Sequence, residues 1–337
     1  MMMQELRKER LDRGIKVRAD SIYAISSLKE IMFLMGPGLI LVFGLLVLPA
    51  VVSPYWQRVL CIAGVYVLLS ISFGFLANYV GLVCLGGALF VGVGGYLSGI
   101  LNAYFGLSPL LAIPLATVAG AFICTLLLLP CLPLRGVYFA IISFVYPLLA
   151  GRLIAATGVF GGTDGIAELD VLTNKWVNIY LIFILILVVV FGISRLVNYE
   201  DLGLVFRGVK DNEQAITASG LNITFYKAQA VFIGAALGCF GGAYLSHLYG
   251  WAGMSLFAID FSILPVAATV VGGSGILYGP LLGAFLLIPI SEALRAFGTL
   301  RIVFYAIVLV FFVVFWTEGV LEYVRRKYEQ FEHWVRV

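Results

Sequence analysis

Few side chains in this 337-residue chain could do covalent chemistry. Cys61, Cys84, Cys124, Cys131 and Cys239 are scattered through apolar runs without Cys-x-x-Cys spacing, and they read as small buried hydrophobes rather than as a disulfide framework or metal site. His247 ends an apolar run and His333 lies in the tail, so no histidine cluster exists to hold a metal. An intramembrane enzyme would need His, Ser-Lys or paired Asp within its spans, and none is evident. The chain also has no G-x-x-x-x-G-K-[ST] and no Gly-Lys dipeptide, so it cannot cradle ATP phosphates in the P-loop manner. "GVGGY" (Gly92–Tyr96) sits inside an apolar run with no strand before it and is no nucleotide loop. What remains are charges in costly places. Arg152, Asp260, Glu292 and Arg295 stand near the ends of apolar runs, where ionisable groups are functional candidates and where the expected position is interfacial.

One polar island stands apart: "GVKDNEQAITASGLNITFYKAQ", Gly208 to Gln229. Asp211 is placed to accept from the free N–H groups of a first helical turn, with Gln214 three residues on as in a capping box. Glu213 suits the positive end of the helix dipole, and Gly220 can take the left-handed conformation that stops it. The spacing predicts a helix of about eight residues, Asn212 to Ser219, near 12 Å long at 1.5 Å per residue. A helix that short is marginal alone in water. Its small apolar face (Ala215, Ile216, Ala218, Leu221) must pack on something: its own protein's rim, or a separate cytoplasmic subunit.

The elements that carry this island are set by composition. The chain is 62% hydrophobic and 12% charged, where soluble domains run about 45–50% apolar and about 25% charged, so its solvent is lipid. Spans of about 20 apolar residues cross a bilayer as helix. The candidates are Ile31–Val52, Val59–Leu76, Leu82–Leu101, Leu107–Leu132, Val137–Ala156, Val177–Leu196, Ala228–His247, Ile259–Leu277, Leu281–Leu294 and Ile302–Trp316. Runs such as "YLIFILILVVVFGI" (Tyr180–Ile193) do not alternate as barrel strands would. The expected fold class is all-α, a polytopic transmembrane helical bundle of about 8–10 spans with Gly-rich broken segments. With the N-terminus inside, 16 of the 21 Lys and Arg fall on the cytoplasmic side, which places the island and both termini in the cytoplasm. A basic cytoplasmic arm (1–30) precedes a transmembrane domain (31–318) with its inner loop at about 197–227, and a cytoplasmic tail (319–337) follows. The arm does not read as a cleaved signal peptide.

Glycines recur at small-xxx-small spacing, as at Gly95/Gly99, Gly234/Gly238/Gly242 and Gly275/Gly279/Gly283, which lets helix backbones approach closely. A second reading of such Gly/Pro-broken segments is that they line a path; "VVGGSGILYGP" (Val270–Pro280, with Gly272, Gly273 and Gly275) is the main candidate. The loop "GGTDG" (Gly161, Gly162, Thr163, Asp164, Gly165) between the fifth and sixth candidate spans reads either as an ordered turn or as an outer gate, with Arg152 nearby in sequence.

From Phe75 onward the chain resembles ABC-transporter permeases of the branched-chain amino acid type, most of all the LivM-like subunit. The stretch Leu202–Leu245 is similar to their inner loop, G-R-x-x-R-A-I-R-D-N-E-x-A-A followed by a Gly-Leu step and a Lys, through Gly203, Arg207, Lys210, Asp211, Asn212, Glu213, Ala215, Gly220, Leu221 and Lys227. The first Arg of that pattern is Leu204 here, and Leu149 stands where many members carry a carboxylate three residues before the Arg of span five. "GVYFAIISF" (Gly136–Phe144) with "GGTDG", and "VVGGSGILYGPLLGA" (Val270–Ala284), extend the likeness. The resemblance implies a transport subunit, not an enzyme, of an importer in the bacterial cytoplasmic (inner) membrane. It implies a second, LivH-like permease, two ATPase subunits (LivG/LivF-like) that hold ATP–Mg and dock on a coupling helix (Arg207 to Gly220, with Ile216), and a periplasmic solute-binding protein. This chain itself is expected to bind membrane lipid but no cofactor, metal or nucleic acid. An apolar path suits a hydrophobic amino acid, or urea or a short amide. The rival class is an ion-coupled secondary transporter, which would need a midplane carboxylate or polar cluster.

Overall fold

The structure is a computed structural model, and it describes residues 53–134, 136–172, 175–273 and 278–294, with isolated positions at 298, 303, 307, 310 and 311. The arm, the first candidate span (Ile31–Val52), most of the last (Ile302–Trp316) and the tail lie outside the described residues. The described residues form helices, with no strand and a single isolated antiparallel bridge, Ile166 to Ala252.

Among the described residues ten α-helices follow in order. They are α1 (Pro54–Phe75), which continues through a π turn (Leu76–Val80), α2 (Gly87–Ala103), α3 (Pro109–Leu128), α4 (Val137–Thr157) and α5 (Lys175–Tyr199). Then come α6 (Asp201–Asp211), α7 (Glu213–Ala218), α8 (Ile223–Tyr249), α9 (Asp260–Gly272) and α10 (Gly279–Ala293). Proline opens α1, α3 and α10, where its missing N–H costs nothing. Glycine in the left-handed conformation closes the π turn, α4 and α8. Among the described residues five apolar helices, 21 to 27 residues long, suffice to cross a membrane, and α2, α9 and α10 are apolar but shorter. The bundle is therefore that of a multi-pass membrane protein.

The core is centred on α8, which packs on α1, α2 and α3. The small residues make this possible. A Cβ on Gly94 would overlap the Cys239 backbone, and one on Gly242 would overlap the Val91 carbonyl, so α2 and α8 touch backbone to backbone. Gly272, Gly279 and Gly283 do the same for the α9–α10 hairpin. The described glycines at these crossings thus serve close helix packing.

Two candidate spans are shorter as helices than their apolar runs. The segment from Leu82 to Gly86, read from sequence as the start of a helix, is irregular backbone inside the bundle. It is tolerated because side chains satisfy it and the start of α2: Leu85 N–H donates to Ser143 Oγ at 2.9 Å, and Ala88 N–H to Ser262 Oγ at 3.1 Å. The α9 span likewise stops at Gly272 rather than Leu277. Its first turn lies half-way down α1, since the Phe261 ring stacks on Tyr66 at 5.3 Å and Thr269 Oγ1 donates to the Ser70 carbonyl at 3.2 Å. Asp260, expected near a membrane face, thus opens a helix level with the middle of α1. The long helix α4 is sparsely buried, with only Phe139, Ala140, Ser143, Pro147 and Gly151 turned inward.

Candidate functional site: the α6–α7 elbow

The stretch from Arg195 to Lys227, expected to be loop apart from one short helix, contains two helices. The first, α6, was not anticipated, although Gly203, Phe206 and Val209 repeat at three-residue spacing and are its buried face. Phe206 meets Phe75 edge to face at 5.8 Å, which docks α6 on the end of α1. Gly203 is required at the α5–α6 corner, because a Cβ there would overlap the carbonyls of Leu196 and Val197. Arg207 closes the corner, donating to the Val197 carbonyl at 3.0 Å and to Asn198 Oδ1 at 2.8 Å. Lys210 donates to the Asn78 carbonyl at 2.8 Å, within the π turn that ends α1.

The second helix, α7, is shorter than expected, Glu213–Ala218 rather than Asn212–Ser219. Its cap is Asn212, not Asp211: Asn212 Oδ1 accepts from Gln214 N–H at 3.0 Å and Ala215 N–H at 3.1 Å. Asp211 is the last residue of α6, which consumes the expected cap position. The reason is local: Asn212 is extended (φ −155°, ψ 96°), so the chain breaks there and the Asn amide oxygen reaches the next turn. Ile216 rests on Gly208, where a Cβ would collide with its side chain, and this folds α7 back on α6. Ala215, Ala218 and Gly220 are exposed, and Gly220 is left-handed (φ +84°) as expected.

The elbow is fastened by a buried charge. Lys227, 2% exposed and four residues into α8, donates to Glu213 Oε1 at 2.6 Å and to the Leu132 carbonyl at 3.4 Å. A buried ammonium requires such a partner. The sequence shows Lys227 opening the helix, but not that it turns inward; its i+3 and i+4 neighbours Ala230 and Val231 are fully buried, and that periodicity is the signal that was available.

The candidate path residues do not converge. Arg152 is exposed on α4 and makes no ion pair among the described residues. Gly161 (φ +83°) and Gly162 (φ +54°) turn the loop after α4, Thr163 Oγ1 donates to Asp164 Oδ1 at 3.5 Å, and the Asp164 carbonyl accepts from Trp251 Nε1 at 2.9 Å. Gly272 and Gly273 lie instead at the end of α9, against α10. Gly275 falls outside the described residues.

That loop after α4 is stitched to the end of the bundle opposite the elbow. Ile166 and Ala252 exchange both backbone bonds, at 2.8 and 2.9 Å. Asn102 and Asp170 pair reciprocally, Asn102 Nδ2 donating to Oδ2 at 2.8 Å and Asp170 N–H to Asn102 Oδ1 at 3.0 Å. His247, fully buried, lies 2.9 Å from Ser98 Oγ and 2.8 Å from the Asp170 carbonyl. The sequence places His247 only at the end of an apolar run and gives no sign of its Ser98 partner.

Set beside known proteins, residues 55–315 match the family model described as branched-chain amino acid transport system / permease component. The chain is 26% identical to the high-affinity branched-chain amino acid transport system permease protein LivM of Salmonella typhimurium, over 89% of this chain and 77% of that protein. It is 25% identical to LivM of Escherichia coli over 82% of this chain and 72% of that one. It is also 25% identical to a probable LivM of Methanocaldococcus jannaschii, over 65% and 75%. No solved structure matches it.

Proposed function

The chain belongs to the permease-component family of branched-chain amino acid transport systems, and from that premise we propose that it is one membrane half of an ATP-driven importer of hydrophobic amino acids. Family membership implies an ABC-transporter permease subunit, a transport component rather than an enzyme. The finer reading has the elbow face the cytoplasm, both termini inside, in a bacterial inner membrane. A second, LivH-like permease completes the passage, two LivG/LivF-like ATPases bind ATP–Mg and dock on the elbow, and a periplasmic binding protein delivers solute. The passage alternates between inward and outward access because nucleotide-driven motion of the ATPases displaces the elbow.

The observation that carries this reading is the fastening of α6 and α7 to separate long helices. Lys210 holds the end of α1, and Glu213 holds the start of α8 through Lys227. A six-residue helix is too short to persist on its own, yet an applied displacement here reaches two spans together. The irregular Leu82–Gly86 segment and the mid-bundle start of α9 support a passage near them, since backbone of this kind is tolerated where protein or a water-filled cavity covers it.

The test is co-expression with the neighbouring ATPase, second-permease and binding-protein genes, reconstitution in proteoliposomes, and measurement of solute-stimulated ATP hydrolysis. Glu213→Lys, which sets like charges against Lys227, is expected to lower stimulated hydrolysis at least about tenfold, a loss of about 1.4 kcal/mol in coupling. Full ATP hydrolysis in that variant sinks the lever. Uptake on an ion gradient with no ATPase present sinks the importer reading.

A further inference from the structure

The buried ammonium of Lys227 reaches a third element. Its Nζ donates to the Leu132 carbonyl as well as to Glu213, and Leu132 lies in the connection between α3 and α4. The elbow therefore holds the approach to α4 along with the start of α8. Among the described residues α4 is attached differently from its neighbours. Whereas α3 packs along α2 and α8, and α5 along α1, α4 meets the bundle chiefly on α2 and on the short turn Met254–Phe257. One contact is at Ser143, whose Oγ accepts from Leu85 N–H at 2.9 Å. Another is at Gly151, where a Cβ would come within 3.4 Å of Met254 Cε and 3.7 Å of Phe257 Cβ.

Both ends of α4 turn on glycine. Gly136 opens it at φ 57°, ψ −125°, and Gly158 closes it at φ 64°, ψ 9°. A Cβ on either would meet nothing within 4 Å, so neither corner is held by packing. The glycines that end the π turn and α8 differ: a Cβ on Gly81 would press on Lys210 at 3.2 Å, and one on Gly250 on Val171 at 3.0 Å. Backbone rotation at Gly136 and Gly158 therefore costs little, as a hinge requires. Beyond the hinges both anchors are firm. Leu132 is tied to Lys227, and the loop after Gly158 is stitched to Trp251 and Ala252. Midway, Pro147 offers no N–H to the Ser143 carbonyl, which weakens α4 where it touches the irregular Leu82–Gly86 backbone.

We propose that α4 is the moving wall of the passage, a rocker hinged at Gly136 and Gly158. A push on the elbow, passed from Glu213 through Lys227 to Leu132, tilts α4, and Ser143 carries the Leu82–Gly86 segment with it. This rests on the importer reading and adds to it the element that moves.

A staple tests it. The 3.7 Å between the Gly151 and Phe257 Cβ positions lies within the span of about 3.5–4.5 Å that disulfides take, so Gly151→Cys/Phe257→Cys can fix α4 to the bundle. The variant, assembled with its ATPases, second permease and binding protein in proteoliposomes, is oxidised with copper phenanthroline and then reduced with dithiothreitol. The oxidised form is expected to lose leucine uptake at least about tenfold, and the reduced form, which is the folding control, to regain it. In a second measurement on the same assembly, pulsed EPR reads the distance between spin labels on Leu149→Cys in α4 and Tyr249→Cys at the end of α8, both exposed positions. It is read without nucleotide and with ATP trapped by vanadate. That distance is expected to change by several ångströms, while a label on Val188→Cys in α5, also exposed, keeps its distance from the α8 label. Full uptake by completely cross-linked protein overturns the inference, and so does an α4–α8 distance that nucleotide leaves unchanged. Uptake that needs no ATP but is still stopped by the staple would keep α4 as the moving wall and sink only the ATP-driven reading.

Discussion

Ser98 and His247 face each other at 2.9 Å with neither side chain reaching solvent, and this pair joins α2 to α8. Their protonation follows from the third partner. The Asp170 carbonyl, 2.8 Å from Nδ1, can only accept, so Nδ1 carries the hydrogen and Nε2 accepts from the Ser98 hydroxyl. Ser98→Ala therefore leaves a buried ring nitrogen without a donor. The expected loss is about 1–3 kcal/mol, read from SDS titration of the protein in mixed micelles. Protease sensitivity of the loop at 158–172 should rise in His247→Leu, because the Asp170 carbonyl then loses its ring donor.

Glu213→Ala strands the Lys227 ammonium. Removing one partner of a fully buried pair costs about 3–5 kcal/mol; Glu213 keeps 21% of its side-chain exposure, so about 2–3 kcal/mol is expected here. The double variant Glu213→Ala/Lys227→Met should recover most of the lost melting temperature, since no charge is then left without a partner. No recovery would show that the pair is not the source of the cost.

The cap makes a sharper distinction between neighbours. Asn212→Ala should cost about 1 kcal/mol and release the Gln214 and Ala215 amides to hydrogen exchange. Asp211→Ala should leave those two amides protected, because Asp211 contributes no cap bond to α7.

At the α2–α8 crossing, Gly242→Ala drives a methyl into the Val91 carbonyl and is expected to cost about 3 kcal/mol or to abolish assembly, seen as loss of the monodisperse peak in size-exclusion chromatography. Gly192→Ala is the control. Its Cβ would meet open space on exposed helix, so it should be neutral or stabilise by up to about 1 kcal/mol.

Much of this architecture was legible in the sequence, because lipid imposes a one-dimensional rule: an apolar run of sufficient length is a helix. The helices at Val137, Lys175 and Ile223 begin within about five residues of the expected positions for that reason. The rule fails where tertiary partners take over backbone satisfaction. Nothing in "LVCLGG" announces that Ser143 and Ser262, distant in the chain, will serve the backbone there and shorten α2. The site was half legible. The polar island and its glycine stop are local signals, whereas the choice of Asn212 over Asp211 turned on α6, whose moderate apolar face was lost among greasier neighbours. Lys227 and His247 were invisible as interior groups because composition reports that a charge or ring is present, not which way it points.

The Glu213–Lys227 contact also bears on behaviour in concentrated salt. Mobile ions weaken exposed pairs beyond a Debye length of about 8 Å at physiological ionic strength, but they have little access to an ammonium that is 3% exposed. The elbow's attachment to α8 should therefore persist in concentrated salt, while contacts made through its exposed outer surface weaken as ions accumulate. Rising ionic strength would loosen whatever is held on the outside of the elbow before it loosened the elbow itself.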